Sequence, residues 1–497
     1  MSAELVNRAE QLAAAGRWSE VSALLEPLVE NARSAGLWSM LGMARLRTGN
    51  HAAAADAFVC AAILDAEGGR AWLNAATVLG QVGRMGEAAH AAGQAIRLGF
   101  APPEAHLLLG RALHRSGDLD GAQAAFETAI AARPAFAAAH RELAQLLWMR
   151  SGNLESATAS LNAAIAAHSA DSELREVLMR LLKAAGDEPG AQQAAARLLE
   201  VMPPGPARRL FEAHEADLRA DYTAAAEAAR DALALGADPS QSLEALASAQ
   251  LASGDAAGLL ATADEWLGRE EFNQLAIGYR ATALRMLGDP RGDAFRDYER
   301  LVRPFDIDVP AQWAGMDAFL TDLAAALSRL HPFEAHPLGQ SIRGGSQTME
   351  PLFQSTDPAI RAFFHAIDGP IRRYMAELGT ASDPLRARNR GAYAIKGSWS
   401  VWLKPGGFHV DHVHPQGWIS SACYIQTPKT SEDSERREGW IRFGQPPVQP
   451  PGGLSAEYFV EPRPGRLVLF PAWMWHGTVP FTSDERRLTV AFDALPA

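Results

Sequence analysis

Three histidines and an aspartate fall within six residues of this chain: His409, Asp411, His412 and His414. A further histidine, His476, lies far downstream. Imidazole and carboxylate are ligands for iron(II). An oxygen-using iron needs three protein ligands on one face, with positions left for O2 and a co-substrate. Two ligands two residues apart on a strand point to the same side, because side-chain direction alternates. The third must then come from a distant strand laid alongside. His409 and Asp411 with His476 make a two-His-one-carboxylate set. His412 and His414 with His476 make an all-His set. On a straight strand the two pairs face opposite ways, so only one shares a metal with His476. Arg486 and Arg487 follow His476 by 10 and 11 residues. They are adjacent, so one of them points inward, and a planar guanidinium suits bidentate carboxylate binding. Tyr424, Ser420 and Trp418 precede His476 on another strand-like run and offer hydroxyls and an aromatic wall. A bare His cluster also suits zinc or a surface patch, so the elements around it matter.

Those elements read as strands. Trp399, Val401 and Leu403 alternate with Ser400, Trp402 and Lys404. Pro405-Gly406-Gly407 then reads as a turn. "WISSACYI", "GRLVLFPAWMWHGTVPF" and "ERRLTVAFDAL" read as further strands and a turn. Late strands without crossover helices imply an antiparallel sandwich or barrel. This sheet domain is expected over residues 336–497, after a helical linker over 301–335. Within it, "HPLGQSIRGGSQTMEPLF" reads as a loop around Gly344 and Gly345, where Arg343 and Gln347 fit a hydrogen-bonded loop as well as substrate contact. Residues 358–378 read as an amphipathic helix.

Upstream the chain changes character. Of its 30 prolines, 10 precede residue 301 and 20 follow; tryptophan divides 5 to 7. The first part is alanine-rich and repeats itself at about 34 residues. Trp38, Leu41, Gly42, Gly49, Ala54, Phe58 and Ala61 are echoed by Trp72, Ala75, Ala76, Gly83, Ala88, Ala92 and Ala95. His106, Leu109, Gly110, Gly117, Ala122, Phe126 and Ala129 come next, then His140, Leu143, Ala144, Leu147, Ala157, Leu161 and Ala164. Small residues let paired helices approach, large ones fill between hairpins, and Gly49, Gly83 and Gly117 close the first helix of each pair. The array is expected over residues 1–300, with eight or nine hairpins.

The whole chain has 497 residues, room for about three domains. Its 48% apolar and 21% charged residues exclude a disordered, collagenous or membrane-embedded chain. Only Cys60 and Cys423 are present, so no disulfide framework forms and a reducing, cytoplasmic home is expected. The formal net charge of −12 argues against nucleic acid as a partner. "MSAELVNRAEQLAAAGRW" lacks the pattern of a secretory signal. No uncharged apolar run of about 18 residues exists, so no membrane association is expected.

Residues 35–168 closely resemble tetratricopeptide repeats, which implies an α-solenoid whose concave surface binds a peptide or protein. A purely structural array is the alternative. Residues 405–492 resemble the iron(II)/2-oxoglutarate-dependent oxygenase superfamily. More narrowly, "HVHPQGWISSACYI" is similar to the "HxHP…SGVYY" motif of a bacterial and phage branch, and "PGRLVLFPAWMWHGTVPF" with "RRLTVAF" to its distal-His and Arg strands. The resemblance implies an α + β multidomain chain: a tetratricopeptide-repeat solenoid, then a double-stranded β-helix (jelly-roll, cupin-like) domain. It also implies a dioxygenase, a hydroxylase, using Fe(II), 2-oxoglutarate and O2. The superfamily pattern selects His409 and Asp411; the branch motif centres on His412 and His414. This chain has Ala422 and Cys423 where the branch has Gly and Tyr. Arg487, at its junction with "LTVAF", is expected to hold 2-oxoglutarate, with Arg486 as the alternative and Tyr424 and Ser420 beside it. Against the enzyme stands a non-catalytic repeat scaffold or sensor with a degenerate barrel, or, more remotely, a metal-dependent isomerase or hydrolase.

Overall fold

The structure, a computed structural model, describes residues 3–29, 33–65 and 67–497. Met1 and Ser2, which begin the segment read above for a signal, lie outside them. The chain divides into two compact units, Met1–Leu146 with Ala157–Val177, and Leu147–Ser156 with Leu178–Ala497.

Among the described residues, seventeen α-helices run from Ala3 to Leu287, nearly all 12–15 residues long. In the first unit the pairing follows from side-chain size. Helices Ala35–Arg47 and His51–Leu64 cross where Gly42 faces Phe58, and a Cβ at Gly42 would lie 3.0 Å from that ring. Gly110 faces Phe126 in the same way, at 2.5 Å. Each glycine is the socket for the buried phenylalanine of its own hairpin. Gly49, Gly83 and Gly117 have φ near +80° as expected. Asn50 and Asp118, which follow two of these glycines, cap the next helix by accepting from backbone N–H groups. No described helix is long and apolar enough to cross a membrane.

The second unit continues with helical hairpins to Leu287 and then turns to sheet. Asp187, Asp221 and Asp255 cap its helices in the same manner. Nine strands follow among the described residues: β1 (Arg303–Asp306), β2 (Ile342–Gln347), β3 (Tyr393–His409), β4 (Ile419–Gln426), β5 (Ile441–Phe443), β6 (Tyr458–Val460), β7 (Arg466–Pro471), β8 (His476–Thr478) and β9 (Arg487–Pro496). They form a six-stranded sheet, β1-β7-β4-β9-β3-β2, and a three-stranded sheet, β6-β5-β8, with antiparallel pairing throughout. Helices Met316–Ser328, Pro358–Ala366 and Asp368–Leu378 pack onto the large sheet, sharing one core with Trp418, Tyr424, Phe470 and Phe492.

The sequence reading is corrected at three places. Pro405-Gly406-Gly407 is not a reversing turn: β3 runs through it as a bulge, with Leu403 opposite Gly345 and Phe408 opposite Arg343. The stretch read as a loop around Gly344–Gly345 contains β2, which pairs with β3 across that bulge. β2 is an edge strand of polar residues, so it lacks the apolar alternation that identifies a strand. Within the stretch read as a helical linker, Arg303–Asp306 is the strand β1 at the far edge of the same sheet.

The last repeat helix, Gln274–Leu287, is built into the sheet domain. Leu243, Ala247, Leu251, Tyr279 and Ala283 share a core with Val413 and Trp475. The Trp475 indole donates to the Thr282 hydroxyl at 2.9 Å and lies 3.3 Å from the Gly278 carbonyl oxygen. A Cβ on Gly278 would lie 2.9 Å from the backbone oxygen of Trp473 and 3.4 Å from the Trp475 ring. An alanine there gains about 1 kcal/mol of helix propensity and meets about 1–3 kcal/mol of overpacking. The backbone oxygen cannot rotate away, so the clash wins. Gly278→Ala is expected to lower stability by about 1 kcal/mol, seen as a lower Tm in thermal unfolding.

Candidate metal centre and its cavity

Backbone pairing brings the distant histidines together. The His412 N–H donates to the His476 carbonyl at 2.9 Å, and the His476 N–H returns the bond at 3.0 Å. The His414 N–H donates to the Ala472 carbonyl at 2.8 Å. Residues 412–414 therefore lie along the turn from β7 to β8, beyond the end of β3. Val413, between the two histidines, enters the core shared with the last repeat helices. The side chains on either side of it are thereby turned toward the cavity.

The three imidazoles converge. His412, His414 and His476 offer ring nitrogens that all lie within 4.8 Å of one another. Their ring centroids are 4.2 Å apart for His412 and His476, and 5.1 Å for each pair with His414. Each Nδ1 faces an oxygen acceptor: Val410 O at 2.8 Å for His412, the Asp493 carboxylate at 2.8 Å for His414, and Met474 O at 2.9 Å for His476. Such acceptors place the proton on Nδ1 and leave the Nε2 lone pair for a ligand, that of His412 being met in this structure by the Ser341 hydroxyl at 3.2 Å. Burial, and then the neighbouring histidines, hold His476 well below its ordinary value and His412 down to about 3. Both rings are neutral at pH 7, the form a metal requires.

The other pair is placed differently. Asp411 is buried and already engaged: Arg442 reaches it through Nε at 3.0 Å and Nη2 at 2.6 Å, and Gln445 adds a bond at 3.1 Å. Its carboxyl is raised by burial, with the Arg442 bonds acting in the opposite direction. His409 ends β3, and its Nδ1 lies 3.1 Å from the Ser341 hydroxyl. His409 and Asp411 do not join the three-nitrogen cluster.

The two arginines diverge as their adjacency requires. Arg486 is exposed and lies over the Trp402 ring at 4.3 Å. Arg487 is 2% exposed and lies 5.0 Å from the Tyr424 ring centre. Its Nε donates to the Gly439 carbonyl at 3.2 Å, and among the described residues no carboxylate pairs with it. Burial lowers its pKa. The Ser420 hydroxyl is buried without a hydrogen-bond partner, and the buried Tyr424 hydroxyl interacts with Arg487 alone. A buried cation without a carboxylate and an unsatisfied hydroxyl are costly unless an anionic, oxygen-rich ligand completes them.

The three histidines and Arg487 line one cavity of about 1000 Å³. Arg487, Thr489, Ala491 and Asp493, every second residue of β9, line it, together with the three histidines, Arg343, Gln347 and Phe470. Trp399 stacks on His414 at 5.6 Å and forms another part of the wall. Arg343 is half-buried on β2, where its Nη1 donates to two backbone carbonyls. The sequence reading missed Asp493, though its period-two spacing from Arg487 marks it as inward-facing. It also missed Arg442, for which no local signal exists.

Residues 397–493 match the family described as "Putative 2OG-Fe(II) oxygenase". Residues 73–122 and 107–172 match the tetratricopeptide repeat. The chain joins tetratricopeptide repeats to an oxygenase-family domain. Among solved structures, a tetratricopeptide repeat protein from Parabacteroides merdae is 17% identical over 49% of this chain and 96% of its own, with a TM-score of 0.37. Yeast Tom70 is 17% identical over 56% and 62%, with a TM-score of 0.43. MamA from Desulfovibrio magneticus is 17% identical over 34% and 94%, with a TM-score of 0.30. No curated protein matches the chain.

In the oxygenase-family domain, Asp493 is the carboxylate that orients a candidate ligand. Removing such a partner typically costs 10- to 100-fold in metal affinity. Asp493→Ala is expected to weaken Fe(II) binding by about that factor, measured by equilibrium titration, while the fold persists by circular dichroism.

Proposed function

We propose that this protein is an iron(II)- and 2-oxoglutarate-dependent dioxygenase, a hydroxylase acting on a peptide or protein recruited by its repeats in the cytoplasm. The observation that carries this reading is the convergence of His412, His414 and His476 on a cavity that also contains Arg487, a buried cation with no carboxylate partner. Three imidazoles alone fit zinc as well as iron. The cation, the Tyr424 hydroxyl that interacts with it and the unsatisfied Ser420 hydroxyl fit a dicarboxylate co-substrate, which a zinc hydrolase does not use.

In this reading His412, His414 and His476 hold the metal through Nε2. Bound iron(II) would supply a redox-active centre for the reaction of O2, whose reduction takes two electrons from the decarboxylation of 2-oxoglutarate to succinate and CO2 and two from the substrate C–H that becomes C–OH. Arg487 holds the distal carboxylate by a charge-assisted pair, and Tyr424 and Ser420 donate to its oxygens. Asp493 holds the His414 ring in its tautomer. Phe470 and Trp399 keep water from the reacting face. The repeats hold the substrate remotely, so that its reacting carbon is presented in register.

The test is succinate production from 2-oxoglutarate by the full chain with Fe(II), ascorbate and O2. Turnover is expected even without substrate, at an uncoupled rate, and should rise when lysate peptides are added. No succinate under either condition sinks the reading.

A further inference from the structure

The repeats contribute part of the cavity wall. Lys183, Glu244, Leu275 and Tyr279 line it from three helices of the second unit, together with the histidines and Arg487. Leu275 and Tyr279 are four residues apart and share one face of helix Gln274–Leu287. Tyr279 packs edge-on against Trp475 at 5.6 Å, and Trp475 precedes His476. A continuous wall therefore links the repeat helices to the metal centre.

Glu244 is the unusual member of this wall. It is accessible to the cavity, yet protein encloses it enough to raise its carboxyl pKa, against the attraction of Lys183. It has no hydrogen bond or ion pair among the described residues. Lys183 is itself drawn to Asp217, at 3.6 Å. The sheet contributes Arg487 and Arg343 to the same cavity, and they have no carboxylate partners among the described residues either. The repeat helices thus bring Glu244 and Lys183 to the cavity, with Lys183 shared with Asp217, while the sheet brings Arg487 and Arg343 without carboxylate partners and Asp411 and Asp493 already engaged by Arg442 and His414. A dianionic co-substrate is drawn to the two arginines. A positively charged group is drawn to Glu244, where aromatic faces can also hold it.

We propose that Glu244, which lines the cavity with Tyr279 and Trp475, selects a substrate carrying an ammonium or guanidinium group. The inference rests on the oxygenase reading for what happens to that substrate, but not for the binding itself. The repeats then do more than recruit: their last hairpins read the group next to the reacting carbon. The same chemistry is offered by a lysine or arginine side chain in a peptide and by a free amine.

The test is calorimetric titration of the full chain, without metal, with blocked pentapeptides that differ only at a central lysine, arginine, norleucine or glutamate, and with free lysine and butylamine. Lysine or arginine peptides, or the free amines, are expected to bind at least about 10-fold more tightly than norleucine and glutamate peptides. Peptide-only binding identifies a protein substrate, and amine binding a small molecule; both support the proposal. Glu244→Gln should weaken the cationic probes by about 10- to 100-fold with an unchanged Tm, and Glu244→Lys should reverse the preference toward glutamate. Equal binding of lysine and norleucine, no binding of any cationic probe, or a Glu244→Gln variant that binds as before overturns it. Uncoupled succinate formation is measured in parallel. Its presence alongside failed selectivity leaves the oxygenase reading standing, and its absence alongside cation binding sinks only that reading.

Discussion

His414→Ala is expected to abolish Fe(II) binding, while Asp411→Asn leaves it within a few-fold of wild type. The contrast follows from what each side chain already does. His414 has its Nδ1 committed to Asp493 and its other nitrogen turned toward those of His412 and His476. Removing it leaves two ligands, and the loss should exceed the roughly 10- to 100-fold attributed to a supporting carboxylate. Asp411 spends both carboxylate oxygens on Arg442 and Gln445. To bind a metal it would have to abandon a buried bidentate ion pair. Its removal should instead appear in stability. Breaking a buried pair from one side costs about 3–5 kcal/mol, and the amide, which keeps some of the hydrogen bonding, should cost less. Titration of both variants, with thermal unfolding beside it, separates the two roles. Loss of iron from Asp411→Asn with retention by His414→Ala would reverse the ligand assignment.

Arg487→Met is expected to raise the 2-oxoglutarate requirement sharply without weakening the fold. Truncating one partner of a buried charge pair costs about 2–5 kcal/mol, or about 30-fold to several thousand-fold in affinity. In the ligand-free protein the guanidinium has no carboxylate partner among the described residues, so methionine leaves no charge unpaired, and the Gly439 carbonyl loses its donor. A hydrophobic residue of similar volume at such a site is neutral or stabilising. A lower 2-oxoglutarate affinity together with an equal or higher Tm is therefore the signature of a ligand-holding arginine. An unchanged affinity, or a large fall in Tm, marks a structural one. Arg486, exposed over Trp402, serves as the control: Arg486→Met should move neither quantity much.

Much of this was legible in the sequence where the signal is local. The spacing of Gly42 and Phe58, and of Gly110 and Phe126, repeats because each pair solves the same packing problem inside one hairpin. The adjacency of Arg486 and Arg487 meant that one faces inward, and the alternation of β9 carries through to Asp493. Other features depend on partners that sequence spacing does not reveal. Arg442 meets Asp411 only because β5 pairs with β8, placing Arg442 opposite Gly477. β2 is polar because it is an edge, and its glycines accommodate a bulge rather than a loop. Glu244 and Tyr279 look like ordinary repeat residues until helix Gln274–Leu287 docks on Trp475. Both candidate metal pairs satisfied period-two spacing. They separate only because the chain leaves β3 after His409 and follows the turn before His476.

The central claim is that His412, His414 and His476 hold iron beside a cavity made jointly by sheet and repeats. Its most direct test is a crystal structure of the full chain loaded with Fe(II) without O2, with anomalous differences recorded on both sides of the iron absorption edge. The account predicts one strong peak bonded to the Nε2 atoms of those three histidines, facing Arg487 across the cavity. A peak bonded to Asp411 and His409, or none at the histidines, contradicts it.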